Sequence, residues 1–113
     1  MNLKTLKKEN PELLIFENKI NKLKNKKISK ELDKAVLLYI KKIIEIAQLD
    51  DFDNDFDNRQ ELIEDIYLLQ YEFLEEDSFT LLSQDLMDFF FKIQKLKSIT
   101  KVMYELENVL KKY

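Results

Sequence analysis

Asp53, Asp55, Asp57 and Glu64 stand at the first, third, fifth and twelfth positions of one twelve-residue stretch. That is the spacing at which side-chain oxygens wrap a hard divalent cation such as calcium. Glu61 with Asp65, and Glu72 with Glu76, are further carboxylates four residues apart, which share a face when the backbone is helical. Such pairs serve di-metal sites and paired-acid hydrolysis, but both need companions. The chain has no His, no Cys and no Gly. Lack of His removes the usual general base and the Glu-x-x-His motif of di-metal helical sites. Lack of Cys removes thiol nucleophiles, thiolate ligands and disulfides. Lack of Gly removes the glycine-rich phosphate cradle, where only a residue without a Cβ lets the backbone approach closely. No catalytic residue, bound metal or cofactor is therefore expected, and the acids are read as surface groups.

In its oxygen-ligand spacing the stretch resembles the EF-hand family, and Leu49 and Phe52 match the apolar positions of that family's entering helix. The resemblance covers residues 45–70 and implies a calcium site at Asp53, Asp55, Asp57 and Glu64. It departs from the pattern at three places. Asn58 stands for the turning Gly, Gln60 for the apolar residue that pairs two loops, and Asp65 for an apolar residue of the exiting helix. Short Asp-rich loops match four such positions easily. The expectation is an acidic interhelical loop, with Asp57 and Gln60, or Asn58 and Glu61, forming a capping box. A calcium-responsive helical module is the third functional alternative.

The elements that must carry these groups are helices. There is one Pro among 113 residues, while nineteen Leu, eleven Ile and abundant Lys and Glu favour helix. Asn10-Pro11 reads as a cap with a first-turn proline, opening a helix over residues 11–24 with Leu13, Phe16, Ile20 and Leu23 in register. Ser29 opens a second, most buried helix striped by Leu32, Val36, Tyr39, Ile43 and Ile46. A third carries Leu62, Ile66, Leu69 and Phe73. From Phe79 onward Leu82, Phe89, Leu96, Met103 and Leu110 recur every seven residues, predicting one long helix through to Tyr113. The flank of that seam steps across at Ser98 and Thr100, so a break into two helices there is the alternative. The fold class is all-α: an antiparallel bundle of four or five helices with a long C-terminal helix. Residues 1–10 are a basic segment before a single domain over 11–113.

Charge is segregated along the chain. Residues 1–30 carry +6 and residues 92–113 carry +4, whereas residues 48–91 hold fourteen acids and one arginine. An acidic helical surface of this density suits a basic protein partner. Phe89, Phe90 and Phe91 span about 200° of a helix circumference, so one core face cannot easily hold all three, and Phe91 is the ring expected at an interface. The partner-binding set is Asp51, Asp53, Asp55, Asp57, Glu61, Asp65, Glu72, Glu76 and Phe91.

These features predict a non-catalytic protein that neutralises or regulates a basic partner, in the manner of an immunity protein, antitoxin or phage inhibitor, with homo-oligomerisation as a further expectation. The alternative is a helical subunit or adaptor of a nucleoprotein complex, with Lys22, Lys24, Lys26 and Lys27 on phosphates. Arg59 is the only arginine, which argues against base readout. Plentiful Lys, Ile and Asn fit an AT-rich bacterial or phage genome. The opening lysines precede no apolar run, and no stretch reaches the roughly 20 apolar residues of a membrane span. A cytoplasmic protein without membrane contact is expected.

Overall fold

The computed structural model describes residues 3–25, 29–47, 60–61, 63–68, 81–93, 95 and 99–113. Every element among them is a helix: α1 Leu3–Glu9, α2 Leu13–Asn25, α3 Ser29–Ala47, α4 at residues 60–61 and 63–68, α5 Leu81–Ile93 and α6 Ile99–Leu110. The radius of gyration is 13.5 Å, close to the value of about 13 Å for a compact chain of this size.

The basic segment 1–10 contains a helix that sequence periodicity left unassigned. Leu3 and Leu6 bury themselves in the common core, and the Leu3 amide donates to Asp65 Oδ2 at 2.8 Å. A carboxylate there satisfies one orphan N–H and lies against the positive end of the helix. Asn10 closes α1, since both its backbone N–H and its Nδ2 donate to the Leu6 carbonyl at 3.0 Å. Pro11 and Glu12 form a turn, and α2 begins two residues later than the Asn10-Pro11 signal suggests.

α2 folds back along α3. Phe16 packs a ring on Tyr39 at 6.1 Å, and the buried Tyr39 hydroxyl donates to Glu17 Oε1 at 2.7 Å. Glu17 also pairs with Lys7 of α1, so one carboxylate ties three helices. Tyr39→Phe is expected to cost about 1.5–3 kcal/mol, the range for a hydrogen bond to a charged group. Urea unfolding of Tyr39→Phe, Lys7→Ala and the double variant checks it: shared use of Glu17 makes the two losses non-additive.

α3 sits at the centre. Ala35, Val36, Leu37, Tyr39, Ile40, Ile43, Ile44 and Ile46 are all buried, because α2 covers one side and α6 another. Lys41 bonds Glu107 at 2.6 Å across the α3–α6 contact. That hydrogen bond, followed by the attraction of Glu107 and Glu45, outweighs desolvation and holds the Lys41 ammonium above its usual pKa.

Among the described residues the C-terminal region holds two helices, where one long helix was expected. α5 ends at Ile93 and Lys95 lies in a turn whose amide donates to the Lys92 carbonyl at 3.2 Å. α6 then packs back on α5, with Lys92 facing Glu105 at 3.6 Å and Asp85 facing Lys112 at 3.3 Å. As α5 is followed backwards α6 is followed forwards, which is an antiparallel hairpin. The physical cause is the stepped stripe. Leu86, Phe89, Phe90 and Ile93 occupy one face and Val102 and Leu106 another; a straight rod cannot aim both at one core, whereas a hairpin buries both.

Candidate protein-binding surface

α4 and α5 meet where the Tyr67 ring stands edge-on to Phe90, centroids 5.5 Å apart. On their inner sides both helices are apolar: Ile63 and Ile66 on α4, and Leu86, Phe89, Phe90 and Ile93 on α5, are buried. The periodicity of 3.6 residues then dictates what flanks the seam outside. On α5, Met87 and Phe91 lie four apart on the face next to Phe90, with Asp88 and Gln84 beside them, all exposed. On α4, Glu61, Glu64 and Leu68 fall three and four apart on one exposed face.

Three apolar side chains therefore stand in water among acids. Phe91 is 68% exposed, Leu68 58% and Met87 39%; Asp88 shares the α5 face, and Glu61 and Glu64 share the α4 face. Phe89 and Phe90, by contrast, are core, their rings 5.4 Å apart. An apolar centre with a charged rim is the anatomy of a contact surface. Leu68 was not among the residues singled out from sequence, although the stripe of Leu62, Ile66 and Leu69 leaves it off the core face. The same holds for Leu14 and Ile15 on α2, 49% and 70% exposed: the run Leu13-Leu14-Ile15-Phe16 is too wide for one face, as Phe89-Phe90-Phe91 is.

Other expected site residues fall differently. Glu61 and Phe91 are on the surface described. Asp65 does not join them, because it is half-buried and engaged by the Leu3 amide. Asp51, Asp53, Asp55, Asp57, Glu72 and Glu76 lie outside the described residues, and so does all of the calcium-loop pattern except the exposed Glu64. No group of three metal-ligating side chains occurs among the described residues. Of the lysines set aside for phosphate, Lys22 is exposed, Lys24 is half-buried, and Lys26 and Lys27 lie outside the described residues. A second acid of the negative block also has an internal task. Asp85 is buried and accepts from the Tyr113 hydroxyl at 2.7 Å as well as from Lys112. Burial first, and then this bond and the negative charge of Asp85, push the Tyr113 phenol far above its ordinary pKa.

A shallow groove of about 230 Å³ between α2 and α3 is lined by Lys19, Leu23, Glu31, Lys34, Ala35 and Leu38. It is small for a ligand pocket. Among the described residues no helix is long and apolar enough to cross a membrane. Compared with known proteins, the chain matches no family model, no curated protein sequence and no solved structure.

Proposed function

We propose that this chain is a non-catalytic protein-binding module, built as an antiparallel helical bundle and acting in the cytoplasm, whose acidic α4–α5 face neutralises or regulates a basic protein. Immunity proteins, antitoxins and phage inhibitors work in this way. The observation that carries the reading is Phe91, held out in water on the α5 face it shares with Met87 and Asp88, next to an α4 that presents Leu68 with Glu61 and Glu64 to solvent. Removing most of an exposed Phe from water is worth about 1–2 kcal/mol, and rim carboxylates steer a cationic partner and speed encounter. The adaptor alternative has less behind it, since the sole arginine of the chain leaves it without the planar forks that read base edges.

A photo-crosslinking amino acid at position 91, used in the cell of origin, tests the proposal. The expected product joins this chain to a different protein of basic surface. With that partner in hand, Phe91→Ala is expected to weaken binding about thirtyfold, the loss of a central anchor worth about 2 kcal/mol. Glu64→Lys is expected to act mainly on the association rate and its salt dependence. Crosslinking to an acidic protein or to nucleic acid, or equal affinity of the Phe91→Ala variant, overturns the reading.

A further inference from the structure

The outer face of α2 is the charge complement of the outer face of α4. On α2, Ile15 is followed at four and seven residues by Lys19 and Lys22, all exposed. On α4, Leu68 is preceded at four and seven residues by Glu64 and Glu61, also exposed. Three and four residue steps keep each trio on one helix face. Laid antiparallel with Ile15 against Leu68, the two helices bring Lys19 to Glu64 and Lys22 to Glu61. The two trios lie on different helices, and every residue of both is exposed.

We propose that a second copy of this chain docks its α2 face antiparallel on the α4 face, in a head-to-tail contact. It rests on the reading of the α4–α5 face as a binding surface and names one occupant of it. Made once between two copies, the contact is heterologous and leaves one α2 face and one α4 face of the pair unused. Exposed ion pairs contribute little individually and are screened by salt, so the association is weak and reversible, and it grows with concentration.

Sedimentation velocity at low ionic strength tests this on the full chain. Wild type is expected to rise above its 13.7 kDa monomer mass as concentration increases and to return to it in high salt. Lys19→Glu with Lys22→Glu, and separately Glu61→Lys with Glu64→Lys, are each expected to weaken self-association about tenfold or more. Mixing the two doubly substituted chains should restore it, since each then meets a face of opposite sign. Ile15→Asp, at a site 70% exposed, is a second route to the same loss, and circular dichroism confirms that each variant is folded. A wild type that stays monomeric at every concentration overturns the proposal, as does association that survives either charge reversal or is not restored on mixing. Crosslinking at position 91 keeps the two readings apart. A monomeric wild type that still crosslinks to another basic protein defeats self-docking alone, and a self-associating chain that crosslinks only to its own copies defeats the partner reading alone.

Discussion

Deleting residues 1–10 is expected to bring the chain close to unfolding, although the segment is basic and short. Leu3 and Leu6 are 6% and 1% exposed, and full burial of a leucine is worth about 1.5–3 kcal/mol. Two of them amount to about 3–6 kcal/mol, and the Leu3 amide bond to Asp65 adds to that. Domains of this size are stable by about 5–15 kcal/mol in total. Leu6→Ala alone is expected to cost about 2–5 kcal/mol through lost burial and the cavity left behind, lowering Tm by about 10–20 °C. Lys4→Ala and Lys8→Ala, at exposed positions of the same helix, are expected to stay within about 0.5 kcal/mol of wild type. Thermal unfolding of these four variants decides whether the segment is structural or an appendage; equal stability of the truncated and full chains would sink the structural role.

Asp85→Ala is expected to be nearly as damaging, at about 2–3 kcal/mol. The substitution leaves the Tyr113 hydroxyl without its acceptor and Lys112 without its counter-charge, and an orphaned polar group in a buried place carries its full desolvation cost. Tyr113→Phe removes the donor and leaves the Asp85 carboxylate with Lys112, a loss of about 1–2 kcal/mol. The pair also sets an alkaline limit. In the fold the Tyr113 phenol is pushed up, by burial first and then by Asp85, so the native state favours the protonated hydroxyl. Its stabilisation is complete below about pH 10, the unfolded tyrosine value, and is lost as pH rises above that value toward the folded one. Urea midpoints taken through the alkaline range should fall more steeply in wild type than in Tyr113→Phe. Parallel declines in the two proteins would show that the phenol is not perturbed.

Helices α2 and α3 were legible because their apolar residues recur at helical spacing and their starts carry Asn10-Pro11 and Ser29. Residues 3–9 were not, since seven residues with two leucines make no periodic signal and the helix exists through its tertiary contacts. The hairpin of α5 and α6 was half legible. The shift of the stripe near Ser98 was visible, but the seven-residue repeat ran through it and no Gly or Pro marked a turn. Only the competition of two faces for one core resolves that ambiguity. Similar logic separates the surface residues. Phe91 was visible because three consecutive rings overfill a face, whereas Asp65 looked like one more surface acid until α1, 62 residues away in sequence, took hold of it.

That link between Leu3 and Asp65 also orders events during synthesis. The hairpins of α2 with α3 and of α5 with α6 join neighbours in sequence and form as soon as both arms have emerged, since short loops close quickly. The first helix is made earliest, yet its final partner is still untranslated when α3 is complete. Until residue 65 leaves the ribosome, the amide of Leu3 lacks its acceptor in the fold, so the helix made first settles only after its two successors can already pair.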